Sequence, residues 1–336
     1  MRTHRGGETA VRSVGVKMGA VLLFSLAVSC GSSNATGGAP QVGDGGTADA
    51  AVACVSAGWC GSAPVLSSVL GIWGSSASDV WAVGGAEEAD VGEILHWDGS
   101  SWSTATSGMN LVLSSVWGLN TSDVWAVGFA GTALHWDGNA WSSVLSGTTT
   151  DLACVWGSST SDVWAVGNEK IIHWNGNGWS PAVFAPESGP GALFSVWGSG
   201  ASDAWAVGGE STEHWDGASW TNSNNGLDEN HGLFAVGGSG PSDAWAVGAG
   251  GTILHWDGSA WSPSTSNTTV SLVGIWASGP NDAWAVGGGG ETVHWDGDAW
   301  TPAIVDAPVS FNVVWGSAAT DLWVGGTYGA LLHHLE

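Results

Sequence analysis

The sequence predicts an all-β chain, a seven-bladed β-propeller with four antiparallel strands in each blade. Three observations carry that expectation. The stretch Ser78-Asp79-Val80-Trp81-Ala82-Val83-Gly84 returns around Trp125, Trp164, Trp205, Trp245, Trp284 and Trp323, at intervals of 39 to 44 residues. A unit of that length is too small to bury a core alone, so seven of them imply an array that stacks on itself. Each unit also reads as four short runs, L-x-S-V-W-G, S-D-V-W-A-V-G, G-T-I-L-H-W-D-G and x-A-W-S. They are rich in Val, Ile and Trp and are punctuated by Gly, Asp, Asn or Ser, which is the pattern of strands and turns. No run keeps helical spacing for the ~10 residues that a helix needs, so the chain reads as wholly β.

The elements follow in order along the 336 residues. Arg2, Arg5, Arg12 and Lys17 precede an apolar run, Met18 to Val28, too short to span a bilayer but long enough for the core of an export signal. The run ends Leu26-Ala27-Val28-Ser29-Cys30, which resembles a bacterial lipoprotein signal. That resemblance implies cleavage before Cys30, lipid attachment there, and a protein held at the outer membrane or cell surface. Ordinary cleavage after Ser29 would instead give a soluble extracellular protein. The expected organisation is a signal over 1–29, a flexible Gly/Ala/Ser tether over 30–51, and the propeller over 52–336.

Charge narrows the partners. The whole chain carries a formal charge of −25, and removal of residues 1–29 leaves Lys170 as the sole basic residue against 29 acidic ones. Nucleic acid and anionic head groups need clustered Lys or Arg, so neither is an expected partner. A lipid at Cys30 would be the only tie to a membrane. The expected partner is a protein or a surface polysaccharide, met by a monomer.

The last repeat ends with Leu331-Leu332-His333-His334 and lacks a fourth strand. Gly58-Trp59-Cys60 stands before Trp73 as each x-A-W-S run stands before the next repeat. Residues near Trp59 are therefore expected to pair with the strand holding His333 and His334, closing the ring and removing its exposed edges. With that alignment all 26 tryptophans fall on equivalent positions, and Gly237 and His334 are the two places that lack one. Their expected role is packing between blades. Cys54 and Cys60, close in sequence within an exported chain, are expected to form a disulfide. Cys154 reads as a small filler.

One His precedes the third-strand position in every repeat: His96, His135, His173, His214, His255, His294 and His333. One Asp opens every second strand: Asp79, Asp123, Asp162, Asp203, Asp243, Asp282 and Asp321. Seven radial sheets hold these imidazoles too far apart for one ion, whose ligands must lie within ~2.1 Å, so no metal site is expected. A structural Asp–His pair in each blade, or turn capping by the Asp, is the expectation, with no catalytic residue assigned. The first-to-second and third-to-fourth connections share one face, where Asp98, Asp137, Asp216, Asp257 and Asp296 add an acidic ring. No cofactor is expected beyond weak calcium at that ring, which lacks the dense D-x-D-x-D-G spacing of a recognised loop.

On the opposite face the repeats disagree. The first has a long connection, Ala86 to Glu93, containing Glu87, Glu88, Asp90 and Glu93. The fourth has Thr221 to Gly232, containing Asn225, Asp228, Glu229 and His231. Variation on one side of a rigid scaffold is where ligand sites are built, so these eight are the candidate binding residues.

The pattern resembles the kelch type of propeller through Val83-Gly84-Gly85, Val207-Gly208-Gly209 and Val286-Gly287-Gly288. The hairpin Asp98-Gly99-Ser100-Ser101-Trp102 is also similar to a shortened Asp-box of BNR-type propellers, and His96-Trp97-Asp98 to the end of a WD40 third strand. The resemblance implies the fold but carries no active site. Sialidases of this architecture grip a carboxylate with arginines, and none follows the signal segment. The expectation is a non-catalytic binding or scaffold propeller using its variable face, with a lectin bearing repeat-equivalent sites between blades as the alternative and an enzyme acting on polysaccharide as a third reading, for which carboxylates are plentiful but no pair is singled out by spacing.

Overall fold

The computed structural model describes residues 53–56, 58–61, 66–86, 91–106, 108–185, 191–209, 211–223, 225–227, 232–303, 305 and 307–335. The expected signal and tether, Cys30, Glu87, Glu88, Asp90, Asp228, Glu229 and His231 lie outside them. Seven antiparallel sheets form the propeller. Blade 1 comprises Val69–Ser76, Asp79–Ala86, Val91–Trp97 and Trp102–Ala105. Blades 2 to 6 repeat it over 113–143, 152–181, 195–222, 233–264 and 272–302. The first strands are mutual neighbours around the ring, and that of blade 7 returns to that of blade 1.

Blade 7 joins the two ends of the propeller. Phe311–Ala318, Asp321–Gly326 and Leu331–Leu335 are followed by Trp59–Gly61, with Trp59 opposite His334 and Cys60 opposite His333. A fifth strand, Ala53–Ser56, lies outside these four, which the repeat pattern did not foretell. It places Cys54 opposite Cys60, and Cys60 is disulfide-bonded. The structure also departs from a wholly β reading at three short 3-10 turns, Phe129–Gly131, Ala249–Gly251 and Gly288–Gly290. Each tightens a second-to-third connection.

Strand alternation explains the tryptophans. In blade 1, Trp73, Trp81 and His96 are opposite one another across three strands and share one face; Val80, Trp97 and Trp102 share the other. Each blade sets its first face against the second face of the next. Trp81 is 2% exposed, lies 5.0 Å from Trp136 and 5.3 Å from Trp141 between ring centroids, and stacks on its own His96 at 4.1 Å. Trp125, Trp164, Trp205, Trp245 and Trp323 are boxed in the same way. Burying an indole of ~200 Å² contributes at most about 5 kcal/mol, which makes these boxes the main inter-blade cement. Blade 6 meets blade 7 through Trp284, which faces Trp59 and His334 and donates its indole N–H to Asp282 Oδ1 at 3.2 Å.

Nearer the axis, a second contact fixes the spacing. The first-strand Trp of one blade lies against the Gly that follows the first-strand Trp of the next. A Cβ on Gly118 would sit 2.6 Å from Trp73 Cη2, and five other interfaces repeat the relation. Blade 5 has Gly237 in place of the Trp, and blade 6 answers with Ala277 in place of the Gly. The exception obeys the same steric rule.

Candidate functional site

The face bearing the first-to-second and third-to-fourth connections is built from one motif used seven times. Each His Nε2 lies 2.5 to 2.9 Å from the Oδ1 of its blade's Asp. A carboxylate only accepts, so Nε2 carries the proton. The other Asp oxygen accepts the hydroxyl of a first-strand Ser, as with Ser75 on Asp79, Ser199 on Asp203, Ser239 on Asp243 and Ser278 on Asp282, each at 2.5 Å. Ser158 and Ser317 do the same for Asp162 and Asp321. Blade 2 carries exposed Leu119 there instead.

This Ser–Asp–His order puts the carboxylate in the middle. In a nucleophilic triad the imidazole touches the hydroxyl and takes its proton, whereas here the imidazole is spent on the carboxylate and stacked on Trp. The set braces strands one to three against each other. Burial raises the pKa of Asp162 and Asp243, but the hydrogen bonds from His173 and Ser158, and from His255 and Ser239, outweigh it and leave both carboxyls below their usual range.

The turn between third and fourth strands is equally self-contained. Asp98 Oδ1 accepts Ser100 N and Ser101 N at 2.8 Å and the Ser100 hydroxyl at 2.7 Å, which lowers its pKa to about 2. Asp257 does the same with Ser259 and Ala260, and Asn175 makes the turn in blade 3. Gly99 holds a φ of +92° there, which only glycine adopts cheaply. The half-buried third-strand indoles are engaged as well: Trp97 donates its N–H to Ala77 O at 3.2 Å, and five other blades follow.

The opposite face differs. Of the four large apolar side chains that stand exposed among the described residues, Leu145 and Tyr328 lie on its connections, whereas the carbonyl of Val183 accepts Trp220 N at 3.0 Å and so sets that residue along the outer edge of blade 4. The candidate residues described there have specific duties. Glu93 belongs to a strand, not to the connection expected from the sequence; it lies opposite Gly84, and its Oε2 accepts Ser67 N at 3.3 Å. Asn225 donates to Thr212 Oγ1 at 2.8 Å and accepts Leu227 N at 2.9 Å, clamping its own loop. These two sit on blades 1 and 4, which are not neighbours, so they do not form one site.

The sequence reading passed over Glu213. It is fully buried on the third strand of blade 4, where the other blades place Leu95, Leu134, Ile172, Leu254, Val293 and Leu332. Its Oε1 accepts Asn222 Nδ2 at 3.2 Å, its Oε2 has no partner, and burial pushes its pKa up. The signal was a single acidic letter, S-T-E-H-W, in an aliphatic column. A separate cavity of about 640 Å³ on the blade 5 to 6 connection is lined by Ser264, Thr265, Ser266, Asn267, Thr268 and Thr269. Its Asn267 donates to Trp300 O at 2.9 Å.

Among the described residues no three His, Cys, Asp or Glu side chains converge as metal ligands, and no helix is long and apolar enough to cross a membrane. No protein-family model matches the chain, and no curated protein does. Solved structures do. A structure of YCF48 bound to D1 peptide is 19% identical, with a TM-score of 0.67, covering 85% of this chain and 100% of that one. YCF48 from Cyanidioschyzon merolae gives 18% and 0.66, covering 83% and 99%. The WD40 β-propeller domain of Doa1 gives 13% and 0.67, covering 83% and 98%. The chain is a seven-bladed β-propeller, similar in fold to YCF48- and WD40-type propellers.

Proposed function

We propose that the chain is a non-catalytic binding propeller that engages a protein partner through the face bearing its second-to-third connections and its fourth-strand exits. One observation carries this reading. Exposed apolar side chains stand there, at Leu145 and Tyr328, while the polar groups of the opposite face are largely spent on one another. Exposed apolar groups beside variable loops are what a partner's surface can bury. The D1 peptide belongs to YCF48 alone, but it supports the idea that a propeller of this shape can hold a polypeptide.

The finer sequence expectations join this proposal. The protein is exported, with Cys30 lipidated and the 30–51 tether spacing the propeller from the membrane. A Cys54–Cys60 bridge pins the outermost strand of blade 7, and the kelch- and BNR-like turns remain scaffold. The test is photo-crosslinking in the source cells from benzoylphenylalanine placed at Leu145 and Tyr328, and separately at Ser100 and Ser259. Adducts with one common protein from the first pair alone support the reading; adducts from the second pair alone contradict it.

A second reading, glycan binding, is favoured by the uncharged cavity at Ser264 to Thr269, whose hydroxyls and amide suit a neutral sugar. A glycan array probed with the full chain, with calcium and then with chelator, tests it. Saturable binding to a defined sugar that Thr265→Val and Thr269→Val abolish would make this the better account, and a blank array would remove it.

A further inference from the structure

Four second-to-third connections share one turn. In blades 2, 5, 6 and 7 its tip residue is Ala130, Gly250, Gly289 or Tyr328, each with a left-handed φ between 52° and 65° and each followed by a glycine. Glycine fills the tip without strain in two blades, and alanine is the smallest alternative in a third. Blade 7 places there the only tyrosine of the chain, with φ +55° and 88% of its surface exposed. A bulky residue in that region is a steric outlier, and the exposure of the ring leaves it little packing among the described residues. An aromatic ring held in solvent by a strained backbone has its use outside the molecule.

Its surroundings identify the chemistry. Thr327 bridges to Ser68, and Gly329 lies so close to Leu66 O that a Cβ would meet it at 2.2 Å. The intervening Ser67 is exposed and gives its N–H to Glu93 Oε2. Tyr328 and Glu93 thus flank one short segment, Leu66 to Ser68, at the seam where blade 7 meets blade 1. From residue 53 onward Lys170 is the only Lys or Arg. An aromatic ring and a carboxylate that adjoin the same short segment, in a chain of net charge −25, complement a guanidinium or ammonium group.

We infer that the seam between blades 7 and 1 docks a Lys/Arg-bearing segment of a partner protein, with Tyr328 as its aromatic anchor and Glu93 as its charge partner. The inference rests on the partner reading above and specifies its chemistry. The cation of the partner stacks on the Tyr328 ring while its N–H groups reach the Glu93 carboxylate. Tyr is suited to this because its large contact area freezes few rotors.

The test uses the full chain and a fluorescein-labelled (Gly-Arg)n decapeptide, read by fluorescence polarisation at near-physiological salt. Tyr328→Gly and Glu93→Gln should each weaken binding about tenfold, Tyr328→Phe should retain it and Tyr328→Leu should not, with melting temperatures unchanged or slightly raised. Leu145→Ser on the same face and Asp257→Asn on the opposite face should leave it unaltered. No binding by the wild-type chain, or equal binding by wild type, Tyr328→Gly and Glu93→Gln, overturns the seam. If Leu145→Ser weakens binding and Tyr328→Gly does not, the seam falls while the variable face stands. If Asp257→Asn alone weakens it, both readings fall.

Discussion

The two faces of this propeller are made by the same seven repeats and have opposite chemistry. On one, Asp79 and its six counterparts accept from His and mostly from Ser, Asp98 and its counterparts accept backbone N–H groups, and the blades are nearly interchangeable. On the other, the tips carry Ala130, Glu169, Gly250, Gly289 and Tyr328, so that only blades 5 and 6 of these match. The difference teaches where constraint acts. The first face holds strands together, and its residues are fixed by packing; the second closes turns that several residue types satisfy, which leaves room for recognition.

The largest effect expected on the scaffold side is from the indole boxes. Trp205→Ala removes a 1% exposed ring between blades 4 and 5 and should cost about 3–5 kcal/mol in denaturant unfolding. A loss near zero would mean that the blades cohere by other contacts. Next comes the Trp–Gly spacing rule. Gly118→Ala should destabilise by about 1–3 kcal/mol through the Trp73 ring. The exception sharpens the rule: Gly237→Trp should be tolerated better when Ala277→Gly accompanies it, with a coupling of about 1 kcal/mol or more in a double-mutant cycle. Additive effects would break the rule.

Smaller effects concern charge. Asp162 and Asp243 have lowered pKa values, so the native state binds fewer protons than the unfolded chain near pH 4. Their stabilisation is present above the ordinary carboxylate value of 3.8 and is lost as pH falls through the lower native one. Asp243→Asn should flatten the acid limb of the stability profile. Glu213 runs the other way. Its pKa is raised from 4.5, so stability falls as pH rises through that value towards the native one. Glu213→Leu, which copies the other blades, should abolish that slope and stabilise by about 1 kcal/mol at neutral pH. A destabilised variant would mean that the Asn222 hydrogen bond outweighs the unpartnered oxygen.

The spacing of Trp81, Trp125 and their successors was enough to place seven blades, because interface tryptophans recur with the blade itself. The missing fourth strand after His334 likewise pointed to Trp59 as the closing strand. Ala53–Ser56 was hidden, since its pairing with Trp59–Gly61 has no counterpart in the repeat. Glu93 was read as loop because the acidic letters before it mask the strand alternation that its pairing with Gly84 restores. Tyr328 is conspicuous only once the turn geometry is known, as no local pattern announces a left-handed tip. Repetition made the scaffold readable, and the departures from it needed coordinates.

Hydrogen–deuterium exchange of the full chain with and without the arginine-rich decapeptide tests the division between the faces most directly. The account predicts slowed exchange at 66–68, 91–95 and 326–330, with the turns at 98–101 and 257–260 unchanged. Slowed exchange at those turns, with 326–330 unaffected, would contradict it.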